Sequence, residues 1–371
     1  MPIVITGADG FIGKNLQLRL AELGHADVVG VNRSTPPQAV QQALTEASFV
    51  FHLAGVNRPQ DPAEFATGNA GLTQAICEAL SAAKIRVPML LASSTQALQD
   101  NPYGRSKLAA EAAARGYGAA TGAPVQVIRL PNVFGKWCKP NYNSAVATFC
   151  HNIARGLPIK INDAAAPVTL VYVDDVIERF VQLMDGADAA VNPQGFVSVA
   201  PQYTTTVGEL AAQIQAFKDS RSSLISERVG TGLVRALYAT YVSYLPVDNF
   251  AYPVPQYADA RGVFVEMLKT PDTGQFSYFT AHPGITRGGH YHHTKSEKFL
   301  VIKGQARFKF RHMQTGQAHE LLTSGDSPEI VETVPGWTHN ITNIGSDEMI
   351  VMLWANEVFD RSRPDTFASP L

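Results

Sequence analysis

The most constraining feature of the sequence is a glycine-rich turn that joins a short apolar run to an amphipathic segment. The run Ile3-Val4-Ile5 enters Thr6-Gly7-Ala8-Asp9-Gly10-Phe11-Ile12-Gly13, and leucines then recur at helical spacing at positions 16, 20 and 23. Glycines in such a turn let a pyrophosphate approach the free N–H groups of a helix N-terminus. We therefore predict a strand–turn–helix unit whose dinucleotide site includes Gly7, Gly10, Phe11, Ile12 and Gly13.

The residues that follow the second strand bear on which dinucleotide is bound. Val28-Val29-Gly30-Val31 ends at Asn32-Arg33, about 20 residues past the loop, where an acidic residue would accept hydrogen bonds from the ribose of NAD. An arginine there suits a 2′-phosphate instead. Asn32 and Arg33 therefore predict NADPH as the cofactor; the alternative is that Arg33 is an ordinary solvated surface residue.

Strands and helices continue to alternate beyond this point. The apolar stretch from Phe49 ends at Leu53-Ala54-Gly55, a second turn predicted to reach the cofactor, and Val87 to Ala92 delivers Ser93-Ser94-Thr95 at its end. Ligands of open α/β sheets bind at the carboxyl ends of the strands. A hydroxyl from this last segment is therefore placed to hydrogen-bond a reacting oxygen.

Tyr103 and Lys107 form the pair most closely tied to chemistry. They are four residues apart in Tyr-Gly-Arg-Ser-Lys, so in a helix they lie on one face about one turn apart. A nearby ammonium is expected to lower the pKa of the phenol toward the working range. The pair is thus a candidate acid–base device for a carbonyl or alcohol that exchanges hydride with the cofactor.

Several motifs occur in an order that resembles a known family. They are Thr-Gly-x-x-Gly-Phe-Ile-Gly at 6–13, His-Leu-Ala-Gly at 52–55, Ser-Ser-Thr at 93–95, Tyr-x-x-x-Lys at 103–107 and Arg-Leu-Pro-Asn-Val-Phe-Gly at 129–135. Together they resemble the extended short-chain dehydrogenase/reductases, over about two thirds of the chain. The resemblance implies Tyr103 as the acid–base group, Lys107 on the nicotinamide ribose, Thr95 (or Ser94) as the assisting hydroxyl, and Asn132 on a nucleotide-sugar.

The sequence changes character after residue 245. Three prolines interrupt the α/β rhythm between Leu245 and Pro255, which suits a semi-rigid connection. Short alternating strands then follow, typical of an antiparallel barrel or jelly roll; they are predicted at Val263–Leu268, Phe276–Thr280, Lys298–Ile302, Ala306–Phe310 and Met349–Trp354. We predict a Rossmann-type reductase domain at 1–245 and an all-β domain at 246–371.

A second constellation lies within the all-β part. His290 and His292 share one face of a strand, Glu297 follows, and His339 comes from a later segment. Three imidazoles and one carboxylate make a site for a divalent metal, with zinc as the first choice, although the same ligands accept iron, manganese or nickel. The spacing Gly-x5-His-x-His-x4-Glu-x6-Gly resembles the first cupin motif, which implies that these four residues are the ligands.

A reductase followed by a cupin resembles the bifunctional enzymes of capsular-polysaccharide and O-antigen synthesis, of the CapF and WbjC type. The resemblance implies a UDP-linked 4-keto-6-deoxy amino sugar as substrate, on the way to UDP-N-acetyl-L-fucosamine. The cupin would epimerise C3, and the reductase would reduce the C4 ketone to the talose form. Two alternatives stay open: a reductase or epimerase whose cupin serves only structure or oligomerisation, and a non-enzymatic sugar-nucleotide sensor.

Composition excludes other classes of partner. A net charge of −2 gives no basic field for nucleic acid, and no apolar run approaches the roughly 20 residues of a membrane span. The three cysteines show no metal-type spacing, so we expect reduced thiols and, with no leader recognised, a cytoplasmic protein. A symmetric homodimer is the default assembly.

Overall fold

The computed structural model describes residues 1–83, 85–254, 256–259, 262–265, 268, 274–357 and 362–371. The chain forms two compact units. Unit 1 comprises Met1–Phe134, Tyr142–Ser144 and Val168–Thr204, and unit 2 comprises Gly135–Asn141, Ala145–Pro167 and Thr205–Leu371. Unit 2 thus includes residues that precede position 246, and the domain boundary drawn there from the sequence stays a prediction.

Eight α-helices and twenty strands are numbered here in chain order within the described residues. The helices are α1 Phe11–Glu22, α2 Pro37–Glu46, α3 Leu72–Ser81, α4 Pro102–Thr121, α5 Ala145–Ala154, α6 Val173–Met184, α7 Val207–Ser223 and α8 Gly232–Ser243. The strands are β1 Ile3–Thr6, β2 Val28–Val31, β3 Phe49–His52, β4 Met89–Ser94, β5 Val125–Leu130, β6 Asn132–Phe134, β7 Pro167–Tyr172, β8 Tyr203–Thr206, β9 Ala251–Pro253, β10 Gln256–Asp259, β11 Gly262–Val265, β12 Gln275–Ala281, β13 Thr286–Tyr291, β14 Glu297–Lys303, β15 Gln305–His312, β16 Ala318–Ser324, β17 Glu329–Glu332, β18 Trp337–Asn343, β19 Met349–Ala355 and β20 Phe367–Ala368.

Unit 1 is built on a five-stranded sheet in the order β2-β1-β3-β4-β5, with every neighbouring pair parallel. All four residues of β1 and of β3 are buried, as expected for strands whose two faces are both covered. The chain reverses its direction of progress across the sheet between β1 and β3. The predicted Rossmann-type architecture is therefore confirmed, and such a switch point is where open α/β sheets bind ligands.

Helix α4 presents the Tyr–Lys pair of unit 1. Its first turn is capped by Asn101, whose side chain accepts a hydrogen bond from Gly104 N at 2.8 Å, and the helix ends at Gly122 in the left-handed region. A capped start fixes the first turn. Tyr103 and Lys107 lie in the first two turns, so their positions are fixed relative to the sheet edge.

Unit 2 contains two five-stranded antiparallel sheets, β12-β19-β14-β17-β9 and β16-β15-β18-β13-β20. Aromatic rings join them: Phe299 of β14 lies 5.7 Å from Phe308 of β15, and Phe250 lies 5.4 Å from Phe310. The predicted all-β jelly-roll class is confirmed. The strand predicted at Val263–Leu268 is observed over Gly262–Val265, and its residues 266 and 267 lie outside the described residues, as does Pro255 of the predicted connection.

Helices α7 and α8 are fastened to the barrel by buried charge. Arg221 of α7 and Lys298 of β14 both pair with Glu332 of β17, and Tyr238 of α8 donates to the same carboxylate at 3.0 Å. Lys298 also donates to the Tyr252 hydroxyl at 3.0 Å. A buried ion is tolerated only when it is paired and hydrogen-bonded, and this network satisfies that condition across two helices and three strands.

Two further expectations concern the described residues. Within the described residues, Cys77, Cys138 and Cys150 form no disulfide, and burial raises the pKa of Cys77 to about 11. Across the part of the chain that the structure describes, every helix is too short or too polar to span a bilayer.

Candidate functional site

The glycine-rich turn of unit 1 is shaped so that only glycine fits. Gly7 follows β1 with φ +71°, and a Cβ placed on it would lie 2.8 Å from the backbone nitrogen of Ala54. A Cβ on Gly13 would lie 2.4 Å from Gly7 O. Both distances are far below van der Waals contact, so side chains at these positions would force β1, α1 and the turn after β3 apart. The glycines thus bring three segments together at the switch point.

A cavity of about 530 Å³ opens beside these turns. Its lining includes six of the predicted cofactor residues, namely Gly7, Gly10, Asn32, Arg33, Ala54 and Gly55. Helix α1 begins at Phe11 with no side-chain cap and no acidic residue in its first turn, which leaves N–H groups available to a phosphate. The cavity, the uncapped helix and the close glycine turns fit a dinucleotide.

Some of the residues predicted to bind the cofactor do not line the cavity and instead pack against the turns that do. Phe11 and Ile12 start α1, Gly13 packs against the turn, and Leu53 N donates to Thr6 O at 3.2 Å. Their part in the site is therefore to place the turns; contact of these residues with a cofactor stays a prediction.

Asn32 and Arg33 occupy different environments at the end of β2. Asn32 donates from its side-chain amide to Asp9 Oδ2 at 2.7 Å, while its side-chain oxygen accepts from Ser34 N at 3.0 Å. Arg33 is exposed at the cavity wall. Asn32 therefore braces the turn, and Arg33 is the cation available to a negatively charged group.

Within the Tyr103–Lys107 pair, the lysine lies beside the wall of the cavity. Lys107 Nζ donates to Ala92 O at 2.9 Å, and a Cβ placed on Gly55 would lie 3.9 Å from that nitrogen. Burial lowers the pKa of Lys107 to about 8, and the charge of Glu111 opposes the fall. The lysine is thus buried, still cationic at neutral pH, and next to the wall that Gly55 forms.

The expected lowering of the Tyr103 pKa does not occur in the free chain. Burial raises the pKa of Tyr103 above its ordinary value, and a hydrogen bond with Ser94 only opposes the rise. Because the Lys107 ammonium donates to the Ala92 carbonyl, it does not offset the effect of burial on the Tyr103 pKa. A phenol that stays protonated at neutral pH suits the donation of a proton to a carbonyl oxygen.

The structure favours Ser94 over Thr95 for the assisting hydroxyl. Strand β4 ends at Ser94, whose hydroxyl is the one hydrogen-bonded to Tyr103. Thr95 begins a short 3-10 turn, Thr95–Leu98, and is exposed. Of the two hydroxyls that the family resemblance names, that of Ser94 is therefore the one beside Tyr103, and which of them assists the reaction stays a prediction.

Two groups of supporting residues were missed in the sequence. Asn69 donates to Ser106 Oγ at 2.9 Å, and Ser106 donates to the backbone oxygen of Tyr103 at 2.7 Å. Asn69 also accepts from Val56 N at 2.8 Å, so it joins the turn after β3 to α4. Nothing local marks Asn69, because it acts through partners 13 and 37 residues away.

The second missed group lies one turn beyond Lys107. Glu111 is buried and accepts from Arg129 at 2.9 and 2.6 Å and from Ser93 at 2.5 Å. The spacing Tyr103, Lys107, Glu111 repeats every four residues, so a third residue on the same helix face was detectable. Its pairing with Arg129 of β5 was not.

Asn132 begins β6 and is exposed, and its side chain donates to Thr169 O at 3.1 Å. This bond joins β6 to β7 and is itself structural. The substrate role that the family resemblance implies for Asn132 stays a prediction.

The four predicted metal ligands of unit 2 converge. One ligand atom each from His290, His292, Glu297 and His339 lies within 4.8 Å of the others. Ligand atoms about 2.1 Å from one metal lie at most about 4.2 Å apart, so a small contraction brings all four into one coordination shell. Except for the half-buried His290, these side chains are buried.

The hydrogen bonding of these side chains also fits a cation. Both ring nitrogens of His339 are buried and lack a hydrogen-bond partner within the described residues, and His339 Nε2 lies 3.6 Å from the Glu297 carboxylate. A buried imidazole nitrogen without a partner is costly, and a metal would satisfy one of the two by accepting its lone pair. Burial lowers the pKa of His290 to about 3, with His339 and His292 adding to the fall, so its ring is neutral, as a ligand must be.

A parallel sheet with a glycine turn, a nucleotide-sized cavity and a Tyr–Lys pair is typical of the extended short-chain dehydrogenase/reductases. Comparison with known proteins agrees. A model described as "NAD dependent epimerase/dehydratase family" matches residues 3–198, and one described as "Polysaccharide biosynthesis C-terminal domain" matches residues 257–367. The chain therefore belongs to the NAD dependent epimerase/dehydratase family.

Individual relatives narrow the class. The chain is 58% identical over 369 residues to UDP-2-acetamido-2,6-beta-L-arabino-hexul-4-ose reductase from Pseudomonas aeruginosa, covering 99% of this chain and 98% of that protein. It is 42% identical to the capsular polysaccharide assembling protein CapF from Staphylococcus aureus, with 100% of both chains covered and a TM-score of 0.69. These relatives place the chain among the sugar-nucleotide reductase/epimerase enzymes.

A more distant structure shares only the fold. The UDP-glucose 4-epimerase of Thermus thermophilus in complex with NAD is 21% identical, covers 58% of this chain and 83% of its own, and has a TM-score of 0.51.

Proposed function

We propose that the chain reduces the C4 ketone of a UDP-2-acetamido-2,6-dideoxy-4-hexulose with NADPH, after its His/Glu centre has epimerised C3. The product would be the UDP-2-acetamido-2,6-dideoxy-talose that precedes UDP-N-acetyl-L-fucosamine. The relative from Pseudomonas aeruginosa, 58% identical over the whole chain, is named for reduction of such a keto-sugar. The observation that carries the reductase half is the Tyr103–Lys107 pair, with Tyr103 hydrogen-bonded to Ser94 and Lys107 next to Gly55 in the wall of the cavity.

Three residues of unit 1 have separate roles in the proposed reduction. NADPH, when bound, supplies the hydride that adds to C4. Tyr103 donates its proton to the ketone oxygen, Ser94 holds that oxygen by its hydroxyl, and the Lys107 ammonium stabilises the tyrosinate left behind. Hydride and proton together convert the ketone to an alcohol, and solvent returns the proton to Tyr103.

Arg33 supports NADPH over NADH. Its guanidinium is exposed at the cavity wall after β2, where the family's dinucleotides place the adenosine ribose. A guanidinium binds a phosphate by charge-assisted hydrogen bonds. Asn32 is held by Asp9 and Ser34 and keeps the turn that presents Arg33.

The proposed epimerisation uses the acidity of C3 next to the C4 ketone. A proton passes from C3 to a basic group of the site and a proton is returned to C3 on the opposite face, so no atom or electron is gained overall. His290, His292, Glu297 and His339 would hold a divalent metal, with zinc as the first choice, and the metal would supply positive charge near the enolate oxygen. His290 is the half-buried ligand, so substrate would approach from its side.

A structural role for the metal is the second candidate. Four protein ligands fill a tetrahedral shell and leave no open position, and burial of His292, Glu297 and His339 favours such a closed site. In that case the metal braces the barrel and the reductase acts alone.

Product analysis separates the two candidates. The purified chain is incubated with the 4-keto sugar nucleotide in deuterated water, first without cofactor and then with NADPH, and its metal content is measured on the same sample. Deuterium at C3 without cofactor, followed by a talose-configured product with NADPH, is expected. An unlabelled C3 with bound metal would assign the metal to structure, and no NADPH oxidation would overturn the reductase.

Matched variants assign each step to its unit. Tyr103→Phe should abolish reduction while leaving deuterium exchange at C3, and His339→Gln should lower metal content and exchange. Asp326→Asn, a change at an exposed turn residue of unit 2, is the control for both. Loss of reduction in His339→Gln with normal exchange would contradict the assignment.

A further inference from the structure

The segment Asp365–Pro370, here called the 365–370 strap, contacts the strands that carry two of the proposed ligands, β13 with His290 and β18 with His339. Its strand β20 pairs antiparallel with β13, with Ala368 opposite His290 and Phe367 opposite Tyr291. Ser369 N donates to Gly289 O at 2.7 Å. The strap therefore adds an edge strand directly beside the ligand strand.

The strap also reaches the strand of His339. Thr338 donates its hydroxyl to Ser369 O at 2.6 Å, and Arg311 of β15 donates to Pro370 O at 2.9 Å. Thr338 precedes the ligand His339. One short segment thus holds three neighbouring strands, β13, β18 and β15, at the level of the ligands.

Asp365 fastens the turn between two ligands. Its carboxylate accepts from the backbone nitrogens of His293 at 2.8 Å, Thr294 at 2.7 Å and Lys295 at 2.6 Å, and from the Thr294 hydroxyl at 3.0 Å. This turn leads from His292 to Glu297. Three converging N–H donors demand an acceptor with two oxygens, and an amide there would oppose one of them with its own N–H.

The main chain of Asp365 acts on the ligand itself. His292 Nδ1 lies 2.5 Å from Asp365 O, and since a carbonyl only accepts, Nδ1 carries the proton. The other nitrogen, Nε2, lies 3.0 Å from the Glu297 carboxylate inside the cluster. A ligand imidazole that donates its second N–H to a carbonyl is fixed in tautomer and ring orientation.

We propose that Asp365 is a positioning residue for the His/Glu centre, and that the 365–370 strap sets its metal affinity. The inference rests on the metal site assigned under the proposed function. The carboxylate holds the turn after His292, and the turn holds the Asp365 carbonyl against the His292 ring. Residues of this kind typically change metal affinity roughly 10- to 100-fold when altered.

The test compares full-length Asp365→Asn with the exposed-aspartate control Asp326→Asn. Zinc is removed with a chelator, and the dissociation constant for zinc is measured by chelator competition. Amide hydrogen exchange of residues 290–297 is followed in the zinc-free chains. We expect a roughly 10- to 100-fold weaker dissociation constant for Asp365→Asn and faster exchange at 293–295, with both quantities unchanged in Asp326→Asn.

Three outcomes are distinguishable. A folded Asp365→Asn chain that binds zinc as tightly as the wild type would overturn the strap's role and leave the metal centre standing. A wild-type chain that binds no zinc would overturn the metal centre and this inference with it. If Asp365→Asn does not fold, Ser369→Pro decides the matter: it removes the N–H that bonds Gly289, and unchanged affinity in that variant would overturn the proposal.

Discussion

The charge on Lys107 is expected to set the alkaline limit of the reductase, and Glu111 is the residue that tunes it. Burial lowers the Lys107 pKa to about 8 while Glu111 raises it. The lysine loses its charge as the pH rises through that value, so the wild-type rate of reduction should fall above about pH 8. Replacing Glu111 by glutamine removes the supporting charge, so the limit should move to lower pH.

The size of the shift follows from the geometry. Residues four apart on a helix are roughly 6 Å apart, and two charges at that distance interact by about 2.8 kcal/mol at an effective dielectric constant of about 20. That energy is about 2 pKa units. Arg129, bonded to the same carboxylate at 2.6 Å, cancels part of it, so we expect a fall of about 1 unit in the Lys107 pKa.

The assay is the initial rate of NADPH oxidation with saturating keto-sugar nucleotide, measured from pH 6 to 10. For Glu111→Gln the rate should be about fivefold below wild type at pH 8 and equal to it at pH 6. Glu46→Gln, an exposed change on α2, is the matched control. An alkaline limb that stays in place, or moves to higher pH, would refute the reasoning.

A second variant distinguishes a shift in the Lys107 pKa from a loss of rate that is caused by misfolding. Glu111→Gln leaves Arg129 without its buried partner, which costs roughly 3–5 kcal/mol when an ion pair is broken. The double variant with Arg129→Gln removes both charges and should recover stability in urea unfolding. Its alkaline limb should lie between those of the wild type and the single variant.

Three other outcomes are expected. Ser94→Ala should lower kcat for reduction by roughly 10²-fold or more and Thr95→Ala by much less, in the same NADPH assay; the reverse order would restore the Thr95 assignment. Arg33→Ala should raise KM for NADPH by roughly tenfold, the loss of about 1.4 kcal/mol of phosphate binding, and leave KM for NADH unchanged; equal effects on both would make Arg33 a plain surface residue. Lys298→Met should lower the free energy of unfolding by about 3 kcal/mol, and Glu332→Leu, which leaves both Lys298 and Arg221 without their carboxylate, should lower it further; a Glu332→Leu variant as stable as wild type in urea would contradict the buried network.

Short sequence patterns were sufficient to predict a large part of this structure. The glycine turn, the four-residue spacing of Tyr103 and Lys107 and the alternation of His290 and His292 are encoded within one or two turns or strands. Such patterns follow directly from the periods of helix and strand, which is why the fold class was predicted correctly and why the three histidines and the glutamate were expected to lie together, as they do.

The tertiary structure decided the features that depend on where a strand or helix ends and on which residues pack beside it. Strand β4 ends at Ser94, which puts the Ser94 hydroxyl rather than that of Thr95 beside Tyr103, and burial reverses the expected change in the Tyr103 pKa. Glu111 pairs with Arg129 of β5, and the His292 ring is hydrogen-bonded to the carbonyl of Asp365, 73 residues away. Contacts at such separations are set by packing of the whole unit, and no spacing in the sequence records them.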